Sequence, residues 1–295
     1  VVVRSTVPIG TTRNLVLPIL QEAWGSARVC MAPERTIQGQ ALRELVDLPQ
    51  VVGGLDQASL AAGVEVFSQL AHQVVPVSSL ETAEMVKLSN NCHTDLIYGF
   101  GNEIALIASQ HGIDPLEVLN AANVDYPRPN LSKPGFVGGA CLTKDPYIMM
   151  TSSPERAPFL VGRARELNEY MPLYVAQEVI GLLAETRGDA EGATLAIMGW
   201  ACKGNPPTDD MRGNGVESML PLFADAGIAV IGHDPMVRDE VILGLGGTPL
   251  PLDRLVPAAD GLLVINDHPD YLGLDLTSFG AVPPVVYDAW RVLDD

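Results

Sequence analysis

The chain has 295 residues, 47% of them hydrophobic, which is enough for two domains that each bury a core. Its formal net charge is -18, with 18 Lys and Arg against 36 Asp and Glu. This balance argues against nucleic acid as a partner, because clustered cations bind a phosphate backbone. No apolar run is long enough to span a bilayer and no signal peptide is recognisable, so no membrane partner is expected.

The cysteines and histidines show no pattern of a metal site. The four cysteines are widely spaced and form no CxxC pair, which predicts neither a zinc site nor a disulfide framework. The five histidines also lack metal-ligand spacing. We therefore predict reduced thiols, no metal and a cytoplasmic location.

The first 78 residues alternate strands with helices. In chain order we predict a strand over 1–4, a helix over 11–23, strands over 28–32 and 50–54, a helix over 59–70 and a strand over 73–77. Thr11 or Thr12 is expected to cap the first helix, and Pro18 to kink or shorten it. The alternation predicts a mostly parallel sheet. Because the opening strand already has a buried pattern, the chain is expected to begin inside a domain.

The hydrophobic period becomes helical in the middle of the chain. A helix is predicted over 82–109, with one apolar face that is buried. That face comprises Met85, Leu88, Leu96, Ile97, Phe100, Ile104 and Ile107. Asp114 and Pro115 open a second helix, as cap and first helical residue. A long helical segment over 159–184, interrupted or restarted near Pro172, is suited to joining two lobes and to supplying a dimer surface.

Strand and helix alternation resumes in the last third. The predicted elements are a strand over 194–199, a helix over 216–226, a strand over 229–231, a helix over 253–258 and strands over 261–265 and 285–287. They predict a second α/β domain. We therefore divide the chain into domains over 1–78, 79–186 and 187–295.

A glycine-rich loop over 135–141 ends in a cysteine. Its three glycines remove Cβ atoms and permit positive φ angles, so the thiol of Cys141 is expected to be reachable. A thiol becomes a useful thiolate only beside a positive charge or aligned amides; Lys144 is a candidate for the charge and Asp145 for a base. The loop by itself is equally compatible with a tight turn that carries a buried structural cysteine.

Other polar residues lie where ligands gather. Lys87 and Asn91 are four residues apart and share one helix face. Lys87 is either an ammonium that stabilises an oxyanion or a lysine whose stem packs while its head reaches water. Glu34 follows a strand, at the edge where open α/β sheets bind ligands, and is either a base or a loop carboxylate.

Cations follow two strands of the last domain. Lys203 and Arg212 come after one strand and Arg291 after another. They are either a clamp for a phosphate or pyrophosphate or parts of solvated loops. No GxGxxG follows a strand anywhere in the chain, so the residues alone predict no complete dinucleotide site.

Taken in order, these segments resemble the UDP-glucose/GDP-mannose dehydrogenase family, the NAD-dependent nucleotide-sugar 6-dehydrogenases. The matching segments are Ser5-Thr6-Val7-Pro8, Pro33-Glu34-Arg35, Glu84 to Leu88 with Asn91, Asn102-Glu103, Gly138 to Pro146, Lys203 with Asp209, Asp210 and Arg212, Asp234-Pro235, and Arg291-Val292-Leu293. They spread over nearly the whole chain. The resemblance favours the nucleophile interpretation of Cys141.

The resemblance implies an α/β fold with two Rossmann-like α/β domains, the first incomplete at its amino terminus, joined by a helical middle domain and a long connecting helix. Residues 1–78 would be the carboxyl-terminal part of the dinucleotide-binding domain, 79–186 the middle and dimerisation domain, and 187–295 the UDP-sugar-binding domain. Roughly the first hundred residues of the family pattern, including the glycine-rich fingerprint, have no counterpart here. We expect this polypeptide alone to bind NAD weakly or not at all, and calorimetry showing ordinary micromolar affinity would contradict that.

The family oxidises the 6-hydroxymethyl group of a nucleotide sugar to a carboxylate with two NAD. The resemblance implies a thiohemiacetal and then a thioester on Cys141. It implies that Lys87 and Asn91 stabilise the oxyanion states and that Asp145 assists proton transfer. Glu34, supported by Thr6, would activate the water that hydrolyses the thioester. It implies substrate contacts for Arg35, Gly138 and Arg291, cofactor contacts for Thr6, Lys144, Lys203 and Arg212, and a homodimer in which Arg128 reaches the neighbouring site.

Three segments most resemble the UDP-N-acetyl-D-mannosamine dehydrogenase branch. They are Glu34-Arg35 with Gly39, Val51 to Gly54, and Arg128-Pro129-Asn130. A UDP-N-acetylhexosamine is therefore the expected substrate, and UDP-glucose is the alternative. A non-catalytic UDP-sugar-binding scaffold is a second alternative, because the NAD fingerprint is absent from this chain.

Overall fold

The computed structural model describes residues 1–127, 130–153, 155, 158–280, 282–288 and 290–293. Contacts divide the chain into two compact units. The first unit is Val1–Thr94 with Lys144–Gly162, and the second is Asp95–Thr143 with Arg163–Asp295. Two long helices pass from one unit into the other. The predicted division into three domains stays a prediction.

Helices and strands alternate along most of the chain. The helices are α1 Leu17–Trp24, α2 Ala41–Asp47, α3 Gln57–Phe67, α4 Leu80–Gln110, α5 Pro115–Asn123, α6 Gly139–Leu142, α7 Asp145–Thr151, α8 Phe159–Arg187, α9 Val216–Asp225, α10 Asp239–Gly244 and α11 Leu252–Ala258. The strands are β1 Val2–Val3, β2 Cys30–Met31, β3 Gln50–Gly54, β4 Val74–Val77, β5 Thr194–Met198, β6 Ala229–His233, β7 Thr248–Pro249, β8 Gly261–Val264 and β9 Val285–Asp288. A π-helical turn over Thr12–Val16 precedes α1.

The sheet of the first unit has the order β1-β2-β3-β4. The pairs β1 with β2 and β3 with β4 are parallel, whereas β2 and β3 are antiparallel. The antiparallel strands β2 and β3 are connected through α2, which buries no residue. This connection therefore differs from the crossover helix that joins parallel strands and packs on the sheet. Successive residues point to opposite faces, which puts Cys30 and Val52 in one apolar cluster and Met31 and Val51 in another.

The sheet of the second unit is parallel throughout, in the order β7-β6-β5-β8-β9. Side chains of β5 again alternate, with Leu195 and Ile197 in one cluster and Ala196 and Met198 in the other. Helices cover both faces of such a sheet, which explains why its central strand is almost wholly apolar. The α/β fold predicted from the alternation is confirmed.

The predicted apolar face of α4 is wrong in part. Met85, Phe100 and Ile107 are 47%, 50% and 54% exposed. The buried side of α4 instead carries the polar residues Glu84, Lys87, Asp95 and Asn102, together with Leu88 and small apolar residues. Polar groups are buried at such a density only where they have partners or a function.

Three smaller predictions need correction. Neither Thr11 nor Thr12 caps the first helix with its side chain: the Thr11 hydroxyl donates to the carbonyl of Pro8, and the buried Thr12 hydroxyl has no hydrogen-bond partner among the described residues. Pro18 does not shorten the helix, because it lies in the first turn of α1 directly after the π-helical turn and the helix continues to Trp24; the predicted kink stays a prediction. Helix α8 runs through Pro172 without interruption. Among the described residues, no helix combines the length and apolarity needed to cross a bilayer.

Candidate active site

Cys141 lies in the short helix α6 of the second unit and is exposed, which excludes a buried structural cysteine. Its loop packs backbone to backbone against the segment around Gly213. The amide of Gly139 donates to the carbonyl of Arg212 at 2.8 Å. A Cβ atom on Gly138 would lie 1.9 Å from the carbonyl oxygen of Gly213. Gly138 therefore leaves room for a neighbouring loop, whereas from the sequence the glycines are expected to make the thiol of Cys141 reachable.

Substitution of Gly138 by alanine is expected to destabilise the protein by about 1–3 kcal/mol, because the added methyl group overlaps backbone that cannot move aside freely. Gly181→Ala is the matched control. Gly181 lies inside α8 with no atom within 4 Å of an added Cβ, so alanine there should stabilise by about 0.5–1 kcal/mol. Urea unfolding of both variants measures the difference. Equal stability of the two variants would contradict the close approach of the loops.

A buried polar network lies behind the cysteine loop. Arg165 of α8 is 2% exposed and pairs with Asp95 of α4 at 2.8 Å. Arg165 also donates to the carbonyls of Leu142 at 3.0 Å and of Val137 at 3.2 Å. The amide of Asn168 donates to Asp95 Oδ1 at 3.0 Å. This network is not predicted from the sequence, since an arginine in an amphipathic helix gives no signal that it is buried.

Asn91, Lys144 and Asp145 meet in the first unit. Asp145 is fully buried at the start of α7. The side-chain amide of Asn91 donates to Asp145 Oδ2, and the ammonium of Lys144 lies 2.5 Å from Asp145 Oδ1. The structure thus joins two predicted catalytic residues with one predicted cofactor contact. The positive charge of Lys144 is paired with Asp145, so Lys144 is a weaker candidate for stabilising a thiolate than its sequence position indicates.

Lys87 occupies the buried side of α4 and is 6% exposed. The alternative in which its head reaches water freely is therefore excluded. Among the residues that the structure describes, Lys87 takes part in no ion pair. Burying an ammonium without a carboxylate partner destabilises the folded state, so the stability of the fold does not explain the position of Lys87. This cost points to a function for Lys87.

Three other predicted residues of the first unit lie after strands. Thr6 is half-buried in the turn that follows β1. The buried Glu84 holds the end of that turn, since its two carboxylate oxygens accept the amides of Gly10 at 2.5 Å and Thr12 at 2.8 Å. Glu34 is exposed and accepts the amide of Thr36, while Arg35 donates to the carbonyl of Pro49 at 3.3 Å.

Arg212 is a cation of the second unit whose backbone carbonyl accepts the amide of Gly139, two residues before Cys141. Its guanidinium donates to both carboxylate oxygens of Asp210, at 2.8 and 2.7 Å. The pKa of Arg212 is raised, first by this hydrogen bond, then by the charge of Asp210, and also by the sulfurs of Cys141 and Cys202. The charge of Arg212 can therefore interact with both thiols, although it is already paired with Asp210 as that of Lys144 is with Asp145. From the sequence, Arg212 is expected to clamp a phosphate or contact the cofactor, or to lie in a solvated loop, and a role beside Cys141 is not predicted.

Arg291 lies beside a cavity of about 340 Å³ in the second unit. The cavity is lined by Phe136, Tyr174, Tyr287 and Trp290 among others. Arg291 adopts a positive φ of 49° and donates to the carboxylate of Asp114. A left-handed conformation is uncommon outside glycine and often marks a functional position. Lys203 is half-buried in the loop that follows β5.

The predicted site residues fall in both units. Thr6, Glu34, Arg35, Lys87, Asn91, Lys144 and Asp145 belong to the first unit, and Gly138, Cys141, Lys203, Arg212 and Arg291 to the second. Arg128 lies outside the described residues. Within the described part of the chain, no group of three or more His, Cys, Asp or Glu side chains could hold a metal ion.

At pH 8, iodoacetamide is expected to label Cys141 before the other cysteines. Cys202 is half-buried, and burial followed by the charge of Asp210 raises its pKa to about 11. At pH 8 only about 0.1% of such a thiol is thiolate. Because the raised pKa favours the protonated form, labelling of Cys202 should rise about tenfold per pH unit up to about pH 11. Peptide mass spectrometry checks this, and equal labelling of the two residues at pH 8 would refute it.

Comparisons with known proteins place all three parts of the chain in one family. Residues 1–71 match the NAD binding domain of the UDP-glucose/GDP-mannose dehydrogenase family, residues 81–170 its central domain and residues 196–295 its UDP binding domain. The chain belongs to this family. The family expected from the sequence motifs is thereby confirmed, together with the NAD binding domain that the family carries.

Similar proteins include UDP-N-acetyl-D-mannosamine dehydrogenases. The chain is 32% identical to that of Methanocaldococcus jannaschii over 93% of its own length and 61% of the relative. It is 31% identical to that of Escherichia coli K12 over 92% of its length and 68% of the relative. The structure of a UDP-D-ManNAc dehydrogenase from Pyrococcus horikoshii superposes with a TM-score of 0.88 at 28% identity, covering 100% of this chain and 69% of the other. The chain thus spans about two thirds of the length of these relatives.

Proposed function

We propose that the protein is an NAD-dependent dehydrogenase that oxidises the 6-hydroxymethyl group of a UDP-sugar to a carboxylate, with Cys141 as the nucleophile. The observation that carries this proposal is the exposed cysteine in a loop held by buried polar groups, within a chain that matches all three domains of the family in order. An exposed thiol beside a cation is the environment in which reactive cysteines occur.

The proposed substrate is UDP-N-acetylmannosamine or a related UDP-N-acetylhexosamine. The names of the relatives from M. jannaschii and E. coli support this choice, as do the three sequence segments that resemble the same branch. UDP-glucose is the alternative substrate. The cavity at Arg291 is suited to the nucleotide, because its aromatic lining can stack on a base while a guanidinium binds phosphate.

The chain supplies the groups that such chemistry needs. After a first oxidation gives the aldehyde, the sulfur of Cys141 adds to its carbon, forming a thiohemiacetal. A second oxidation leaves a thioester on the same sulfur, and water then releases the carboxylate and the free thiol. We assign to Lys87 and Asn91 the stabilisation of the oxyanions and to Asp145 the transfer of protons. Glu34, with Thr6, activates the water. Arg35 and Gly138 are assigned to substrate contacts.

The residues assigned to the cofactor fit an anionic dinucleotide. Thr6, Lys144, Lys203 and Arg212 carry only hydroxyl, ammonium or guanidinium donors, and the side chains of Lys144 and Arg212 are 51% and 67% exposed. Such donors bind phosphate and ribose oxygens. NAD, when bound, accepts the hydride that each oxidation removes.

We also propose that the protein acts as a homodimer in which Arg128 reaches the neighbouring site. Large apolar side chains on α4 support the dimer, since Phe100 and Ile107 are about half exposed and lie seven residues apart on one helix face. Analytical ultracentrifugation tests the assembly. A cytoplasmic location completes the proposal, because widely spaced cysteines suit a reducing compartment.

The test is an assay of the whole protein with NAD and a panel of UDP-sugars. Two NADH per uronate are expected with a UDP-N-acetylhexosamine. Turnover of UDP-glucose alone would overturn the choice of substrate while keeping the reaction. Binding of UDP-sugars without NADH formation from any of them would overturn the reaction and favour a non-catalytic scaffold.

A further inference from the structure

The guanidinium of Arg165 is buried deeply enough that its presence needs a reason. Arg165 is 2% exposed and Asp95 is 1% exposed. Moving two charges out of water destabilises the folded state, and an apolar pair of similar volume often stabilises a fold equally well or better. The Arg165–Asp95 pair is therefore better explained by the backbone groups that Arg165 binds than by a contribution to stability.

Arg165 holds both ends of the cysteine segment. One nitrogen, Nη1, donates to the carbonyl of Leu142, and the other, Nη2, donates to the carbonyl of Val137. These two carbonyls bracket the four residues over 138–141, of which Cys141 is the last. The guanidinium fork is rigid and planar, so it fixes the distance between the two carbonyls in a way that a lysine cannot.

Other buried polar residues fix the fork itself. Asp95 Oδ1 accepts from Arg165 at 2.8 Å, and Asn168 donates to both the side chain and the backbone carbonyl of Asp95. Asn168 accepts from Asn102 at 2.9 Å, and Asn102 in turn accepts the amide of Gly135 at 2.7 Å. The same network thus contacts the loop at a third point. On the outer side, Arg165 Nε lies 3.2 Å from Glu169 Oε1.

We propose that Arg165, oriented by Asp95, is a positioning residue that holds the Cys141 segment in its reactive conformation. This inference rests on the proposed function insofar as it gives Cys141 a reaction to perform. The effect on rate follows from geometry, because a displacement of about 1 Å at a reacting group can cost on the order of 10²-fold in rate.

Hydrogen exchange of the peptide over 135–143 tests the inference without any assay of activity. Arg165→Met leaves Asp95 buried and unpaired, so the double variant Asp95→Leu with Arg165→Met is made alongside it to remove both charges. Arg165→Lys keeps the positive charge but lacks the second terminal nitrogen, so it cannot donate to both carbonyls in the same way. Arg163→Met, the same change at an 80% exposed side chain two residues earlier in α8, is the matched control.

Exchange over 135–143 is expected to accelerate at least about tenfold in the three Arg165 variants, with β5 and β8 unchanged and the Arg163 control at the wild-type rate. In the whole protein, kcat should fall at least about tenfold while KM for the UDP-sugar stays within about twofold. Arg165→Lys should lie between wild type and Arg165→Met.

Exchange within twofold of wild type in any folded Arg165 variant would overturn the inference. Loss of protection throughout the second unit in all three variants would overturn it as well, because Arg165 would then hold the fold and not the loop. Neither result depends on the identity of the nucleophile, so failure here leaves the proposed function standing. Conversely, failure of the proposed function leaves the exchange result intact.

Discussion

Replacement of Cys141 by serine in the whole protein is expected to lower the rate of uronate formation by at least about 10³-fold. A serine hydroxyl is far less ionised than a thiol at neutral pH, and an ester on serine is hydrolysed more slowly than a thioester. The first oxidation, from alcohol to aldehyde, does not require the sulfur. The variant is therefore expected to form NADH without a matching amount of uronate, which rapid-quench sampling of both products measures.

The control is Cys30→Ala, which removes a thiol that is 4% exposed in the core of the first unit. It should keep uronate formation within about threefold, because small changes in a core mostly affect stability. Uronate release at the normal rate by Cys141→Ser would show that the covalent mechanism is wrong. Unfolding curves of both variants exclude loss of structure as the cause.

Periodic and capped elements could be predicted from the sequence. The bounds of β3 agree with the predicted strand over 50–54, and Asp114 caps α5 through the amide of Leu116 as its position before Pro115 indicates. Local chemistry decides both features, because a buried apolar strand and a capped helix are set by residues a few positions apart. The helices α6 and α7, of four and seven residues, were not predicted because so few residues show no clear period, although the equally short α11 was predicted.

The polar interior could not be predicted in the same way. Glu84 lies on the buried side of α4 because it accepts backbone amides more than 70 positions away in sequence, at Gly10 and Thr12. Asp95 is buried because Arg165, which lies 70 positions later, neutralises it. A helical period counts apolar residues and carries no information about such distant partners. The predicted stripe through Met85 and Phe100 was wrong for this reason.

The candidate site shows the same division between local and distant information. The motif around Cys141 is continuous in sequence, so a reachable thiol could be predicted, although the short helix α6 that carries it was not. The approach of Gly138 to Gly213 and the reach of Arg212 toward the thiols depend on a segment about 70 residues further along the chain. Sequence spacing favoured Lys144 as the nearby charge, whereas the structure pairs Lys144 with Asp145.

Lys87→Met is expected to reduce kcat on the order of 10²- to 10³-fold, the range for removal of a donor to a developing oxyanion. The same change should leave the unfolding midpoint unchanged or raise it. Lys87 is 6% exposed and, among the described residues, has no ion-pair partner, so methionine removes a desolvated charge and keeps the packed stem. Steady-state kinetics and urea unfolding are measured on the same preparation.

The matched control is Arg43→Met on α2, where the side chain is 78% exposed and pairs with Asp47 four residues later. It should change neither kcat nor the midpoint measurably, because exposed ion pairs contribute little. A large fall in stability with Lys87→Met would show that the ammonium serves the fold. A lower kcat together with a higher unfolding midpoint would instead show that Lys87 serves the reaction at the expense of stability. Active sites commonly retain groups that destabilise the folded state.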